Sequence, residues 1–341
     1  AAAGLPGTPE DRARAAVTAA TLLAVAGRRR EALDVASRPL DDPSHGAGQT
    51  PIDSLVLCQL LVQRGALRSE LGDLERATGD LERAARLAEE AGDTTLLASI
   101  LADLGAIYTA TGASRAARDA FTRAAALAAS GPVARLALTN LANLLVTEGD
   151  GFAALDLFER AVAAAEDDRD ARALVFLARG NAALRLGLYA ASEADFARVL
   201  TLQPARALVD QASVGLRTTG AHLRHIARLR AELSAVISAA DRPAFRAEPT
   251  LQRGLLAMST GDEDAAIVDL TRAASLFPLP HERARASACL ALACARSGRC
   301  ADAATALRDA DALDPARAWL TELAADPGWR RCPGLVTSAG C

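Results

Sequence analysis

The sequence predicts an all-α chain of antiparallel helix pairs stacked as a solenoid, and three observations carry that prediction. The first is composition. Hydrophobic residues make up 51% of the chain but aromatics only 3%, so the core must be built from Ala, Leu and Val, and alanine is the best helix former. The second is that β-branched and aromatic residues never gather in alternating runs, the pattern a half-buried strand requires. The third is a motif that returns in phase: a turn glycine, then a small residue five positions on, an apolar one nine on and a small one twelve on.

Each element follows from that phase. Ala15 to Gly27 is the most apolar early stretch. Arg28, Arg29 and Arg30 follow it, no small-residue cleavage site is obvious, and it stays in phase, so it reads as a buried helix rather than a signal-peptide core. Gly27 opens the second helix, through Ala32 and Ala36. Pro39 to Pro51 is rich in Pro, Gly, Asp and Ser and reads as a loop. The next turns are Gly72 (with Ala77, Leu81, Ala84), Gly112 (Ala117, Phe121, Ala124) and Gly149 (Ala154, Phe158, Ala161). Gly187 (Ser192, Phe196, Val199), Gly261 (Ala266, Leu270, Ala273) and Gly298 (Ala303, Leu307, Ala310) complete the series. Seven residues before each turn stands another small residue: Ala20, Gly65, Gly105, Ala142, Gly180, Gly254 and Ala291. It allows the first helix to approach its partner closely. Pro204, Pro278 and Pro315 lie where a second helix should stop.

Two regions depart from the phase. Between Arg206 and Ala240 the period asks for a further unit, but His225 stands where a small residue belongs, and Arg217 to Ala239 reads as a long helix after Gly220. We read residues 206–246 as a degenerate unit. Ala316 to Ala325 reads as a terminal capping helix, and Asp326 to Cys341 as an irregular tail. A hairpin cannot bury both faces alone, so neighbours must stack, which predicts one continuous array over residues 1–325.

The motif Leu104-Gly105-x-x-Tyr108-x-x-x-Gly112, with Ala117, Phe121 and Ala124 after it, resembles the tetratricopeptide repeat. On that family's 34-residue register the units begin near Ala13, Cys58, Ala98, Arg135, Ala173, Ala247 and Ala284. The resemblance implies a right-handed superhelical solenoid of about seven recognisable units, one degenerate unit and a capping helix. Units from Cys58 to Ala173 are more widely spaced than the family pattern. This is similar to the longer-helix variety of regulatory and signalling proteins, as is the link Ala91-Gly92-Asp93.

In such an array the first helix of each pair lines the concave groove, so ligand contacts are expected on its stripe facing away from the core. The sixth unit position holds Gln63, Asp103, Asn140, Gln211 and Gln252, and the ninth holds Asn143 and Asn181. Side-chain amides donate and accept at once, which suits a peptide backbone of any sequence. In peptide-binding members of the family, asparagines at these positions clamp an extended ligand, and Asn140, Asn143 and Asn181 match them. Arg185, Arg217 and Arg296 stand at the twelfth and thirteenth positions, where they would meet carboxylates. The carboxylate clamp of chaperone adaptors also needs a lysine at the fifth position, and Val62, Ala102, Thr139 and Leu177 stand there instead.

Other function classes find less support. The net charge is −4, and acidic and basic residues are mixed along the chain, where a nucleic-acid surface needs a basic stripe. All 38 cations are arginine, which we read as the mark of a GC-rich coding sequence. No apolar run reaches the roughly 18 residues of a membrane span. His222 and His225 share a helix face but lack the third ligand of a zinc site. Cys289 or Cys294 with His281 is the one local thiol–imidazole pairing, and no phosphate-binding loop is present. No catalytic residue, metal or cofactor is expected. Of six cysteines, most read as small buried residues; Cys332 and Cys341 flank a Pro-Gly tail and suit a disulfide in an oxidising compartment. The chain starts at Ala1 without methionine, which fits a fragment or processed form. The reading is therefore a cytoplasmic protein-interaction scaffold that takes a peptide or partner helix, with its oligomeric state open. The rivals are a regulatory module of a larger signalling protein and a helical-repeat enzyme.

Overall fold

The computed structural model describes residues 8–41, 52–317, 323 and 326–335. Among these every regular element is helical. Seven hairpins follow the phase of the sequence: α1 (Pro9–Val25) with α2 (Arg29–Asp41), α3 (Ser54–Glu70) with α4 (Leu74–Glu90), and α5 (Thr94–Ala110) with α6 (Ser114–Ala128). Next come α7 (Gly131–Glu148) with α8 (Gly151–Ala164) and α9 (Arg169–Arg185) with α10 (Tyr189–Thr201). A long helix α11 (Arg206–Ala239) precedes α12 (Pro243–Ser259) with α13 (Glu263–Leu276) and α14 (Pro280–Arg296) with α15 (Cys300–Leu313). The seven turn glycines all lie in the left-handed region, at φ between 73° (Gly261) and 90° (Gly149). Only glycine adopts that conformation without a Cβ penalty, which is why the phase is legible. Aspartates then start several helices: the carboxylates of Asp53, Asp93 and Asp168 accept backbone N–H bonds at 2.9, 2.9 and 3.0 Å.

The chain divides into two compact units where the repeat phase predicts one array. The first comprises residues up to Leu144 together with Leu157–Glu166; the second comprises Leu145–Asp156 and the chain from Asp167 on. In the first, Ala77, Leu81, Ala84, Ala117, Phe121 and Ala124 are buried between successive helices. In the second, Ser192, Phe196, Val199, Ala266, Leu270 and Ala273 hold the corresponding places.

Three expectations change. The degenerate unit is not a hairpin: α11 runs unbroken through Gly220. Its apolar face persists across that glycine, burying Ala212, Gly215 and Thr219 before it and Ile226 and Ile237 after it. Burial on both sides outweighs the roughly 1 kcal/mol that a mid-helix glycine costs. The loop expected from Pro39 begins later, because α2 continues through Pro39 to Asp41, whose carboxylate pairs with Arg64 at 3.1 Å. Residues 42–51 of that loop lie outside the described residues, as do all but Ala316, Arg317 and Leu323 of the expected capping helix.

The third change concerns the C-terminal segment. Asp326 accepts the Gly328 N–H at 2.8 Å and starts a 3-10 turn, Pro327–Arg331. Trp329 is buried against α14 and α15, its indole N–H donating to the Leu323 carbonyl at 2.8 Å. Cys332 bonds to Cys300, not to Cys341. Nearness in sequence suggested the wrong partner; the fold returns the segment to the start of α15.

Candidate functional site

The site is built on the packing inside each hairpin. A Cβ added to Gly65 would lie 2.8 Å from Leu81, one on Gly105 2.6 Å from the Phe121 ring, and one on Gly180 2.9 Å from Phe196. On Gly254 it would meet Leu270 at 3.0 Å. In every case the eighth unit position seats the large side chain sixteen residues later, and the left-handed glycine turn lies between them. The hairpins keep the phase on which the sequence resembles the tetratricopeptide repeat. Gly215 extends the rule into α11, since its Cβ would lie 2.5 Å from the same Phe196 ring. One phenyl group thus sits between two glycines, and Ser192 and Thr219 hydroxyls meet beside it at 3.2 Å.

This seating fixes which side of each first helix is spare. In the first unit the spare stripe runs over α3, α5 and α7 and carries Gln63, Asp103, Asn140 and Asn143. The Thr21 hydroxyl of α1 donates to Gln63 Oε1 at 3.2 Å, so this stripe is shared between neighbouring first helices. Asp103 and Asn140 are half-buried and Asn143 is exposed. None of these three makes a side-chain hydrogen bond or ion pair among the described residues. Burial raises the pKa of the Asp103 carboxyl above the usual range.

In the second unit Asn181, Arg185, Gln211 and Arg217 are exposed and likewise without side-chain partners among the described residues. Gln252 is half-buried and donates to Glu248 at 2.6 Å. Arg296 differs from the rest. It pairs with Asp326, lies 3.9 Å from Glu263 and donates to the Met258 carbonyl at 3.3 Å. The tail whose fold the sequence did not suggest has taken this guanidinium.

Two further features went unread in the sequence. Three units place an arginine at the core-facing seventh position and an aspartate sixteen residues on, joined as two-point pairs. Arg64 meets Asp80 at 2.8 and 2.7 Å, Arg179 meets Asp195 at 2.7 and 2.6 Å, and Arg253 meets Asp269 at 2.8 and 2.6 Å. The signal was a charge recurring in phase on the apolar face. The second feature is a pair of grooves. One, of about 360 Å³, has Leu97, Leu101, Leu104 and Tyr108 of α5 as its floor and charged residues of α4 and α6 as its walls. Tyr108 donates to Glu82 at 2.8 Å, and burial together with that bond pushes its pKa up to about 12. The other, of about 520 Å³, lies between α11, α12 and α13 around the Arg253–Asp269 pair.

The side chains weighed for catalysis sit elsewhere. His222 stacks on Tyr189 with ring centroids 4.8 Å apart, and His225 is exposed. Among the described residues no three His, Cys, Asp or Glu side chains converge as a metal site; His45 lies outside them. Burial raises the Cys294 thiol pKa, the opposite of nucleophile activation. No helix among the described residues is long and apolar enough to cross a membrane.

No family model and no characterised protein matches the sequence. Among solved structures the chain is similar to BtubC (BKLC) from P. vanneervenii, at 20% identity over 54% of this chain and 76% of that one, with a TM-score of 0.47. It is also similar to a tetratricopeptide repeat protein from Parabacteroides merdae, at 18% identity over 78% and 97% of the two chains, TM-score 0.41. A third is the C-terminal part of a repeat-containing protein from Cytophaga hutchinsonii, at 14% identity over 90% and 98%, TM-score 0.44. These likenesses are distant.

Proposed function

We propose that the chain is a protein-interaction scaffold whose first-helix stripes bind an extended segment of another polypeptide. The observation that carries the reading is the set of in-phase amides, Asn140 and Asn143 in one unit and Asn181 in the other, that make no side-chain hydrogen bond among the described residues. An amide left free on a shared stripe can pair with the N–H and C=O of a passing strand. Each such bond contributes about 1 kcal/mol net, so several in series hold a strand that no single one would. The Cys300–Cys332 disulfide favours an oxidising compartment over the cytoplasm that the sequence suggested.

The test begins with affinity capture from the native host, identification of the bound protein, and calorimetry on the purified pair. Asn140→Ala with Asn143→Ala, and separately Asn181→Ala, should each weaken binding about tenfold per 1.4 kcal/mol lost while helical content stays unchanged. Full affinity in both variants would remove the stripes from the account.

A further inference from the structure

The first-unit stripe is nearly uncharged, and the exception is informative. Asp103 is the single charged residue of α5. On α3 the one carboxylate, Glu70, is held by Arg29 at 2.5 Å. Arg64 and Arg68 of α3 point to the other side and are both locked to Asp80. Asp103 therefore stands half-buried in a row of neutral polar groups, with no cation or donor among the described residues on its carboxylate. Burial raises its carboxyl pKa.

The repeat explains why it has no partner. Between α1 and α3 the ninth position of one unit, Thr21, donates to the sixth position of the next, Gln63. The ninth position of α3, one unit ahead of Asp103, is Ala66, and a methyl group donates nothing. The ninth position of α5 is Ala106. Both alanines are exposed, so neither covers the carboxylate with a long side chain. A partly desolvated carboxylate without donors gains most from a cation carrying its own donors. Guanidinium is more weakly hydrated than ammonium and better suited to partly buried pairs; this chain builds its own buried pairs from arginine and aspartate.

We infer that the first-unit stripe selects an extended, otherwise neutral peptide segment through one arginine that seats on Asp103. The inference rests on the scaffold reading and adds to it the chemistry of the partner. The amides hold backbone and confer little sequence preference; Asp103 supplies the preference.

A randomised decapeptide display library selected against the full chain and against Asp103→Asn tests it. The wild-type chain should enrich peptides sharing one arginine in a fixed register, and the variant should enrich peptides without that arginine. For a recovered peptide, fluorescence polarisation should show about a ten- to hundredfold loss on replacing the arginine by norleucine. A smaller loss is expected with lysine, and neither replacement should matter for Asp103→Asn. Melting of Asp103→Asn should match the parent, which separates lost recognition from lost folding. Peptides enriched without arginine, or an arginine preference that survives Asp103→Asn, would overturn the inference and leave the scaffold reading standing. Enrichment of no peptide by either chain would overturn both.

Discussion

Two glycines in the first unit should respond to the same substitution with opposite signs. Gly79 lies inside α4 with open space where a Cβ would be, and Gly105 lies inside α5 with the Phe121 ring 2.6 Å from that point. Alanine at either position gains about 1 kcal/mol of helix propensity, and at Gly79 nothing opposes it. At Gly105 three ring carbons lie within 2.8 Å of the new methyl, well inside van der Waals contact. Phe121 is 1% exposed and has nowhere to retreat, so the hairpin must open. Overpacking of this kind costs about 1–3 kcal/mol and at this distance belongs at the upper end. Gly79→Ala should therefore be more stable by about 1 kcal/mol, and Gly105→Ala less stable by about 2 kcal/mol after the propensity gain is deducted. Urea unfolding followed by far-ultraviolet circular dichroism reads both. If Gly105→Ala proves as stable as Gly79→Ala, the seating rule is wrong, and with it the assignment of which helix face is spare.

The remaining predictions concern the ion pairs, the tail and pH. Asp269→Ala should destabilise the second unit by about 3 kcal/mol, because Arg253 is left partly buried without a counter-charge; urea titration should also show that Arg253→Leu added to it restores most of the loss. That double change copies Leu104 with Ala120, which stand at the same two unit positions in α5 and α6. Reducing Cys300–Cys332, which spans a sequence separation of 32, should lower stability by about 3–4 kcal/mol on loop entropy and expose Trp329, read by its fluorescence in a Trp319→Phe background; an unchanged melting temperature would refute the clamp. Tyr108, with its folded pKa near 12 against an ordinary value of 10, supports the fold fully below pH 10. That contribution disappears as pH rises through 12, and Tyr108→Phe should flatten the alkaline limb of a stability–pH curve.

How much of this was legible depends on where the physics is local. Turn glycines are local: φ near 76° at Gly27 and Gly112 excludes most other residues, so the sequence declares the hairpins. The eighth-position glycines and the apolar residue sixteen later are nearly as plain. Gly220 shows the limit, since a glycine in phase did not make a turn once both flanks had faces to bury. The tail was illegible for another reason. Cys300 and Cys332 are distant in sequence, and Arg296 looked like a groove residue until Asp326 and Trp329 came back over α14. Residue type and phase cannot show that a segment folds back onto the site.

The Arg–Asp pairs link the frame to the stripe. Buried pairs of this kind add little stability over apolar residues of the same volume, but leaving either partner alone is costly. Arg64 must face Asp80, and Arg253 must face Asp269, so a hairpin slipped by one residue leaves charges stranded in its core. In an alanine-rich core a slip would otherwise cost little, because one methyl resembles the next. The pairs therefore hold rotational register where packing alone is permissive, and register decides which side of α3 turns outward. A slip that rotated α3 by one residue would move Gln63 away from Thr21 and take the stripe out of line. Substituting both partners of a pair should consequently leave stability nearly intact, yet weaken peptide binding at the stripe through loss of alignment. Because Arg68 also meets Asp80, at 2.6 Å, all three must change: an Arg64→Leu, Arg68→Leu, Asp80→Ala chain that binds a selected peptide with unchanged affinity would show that alanine packing sets register by itself.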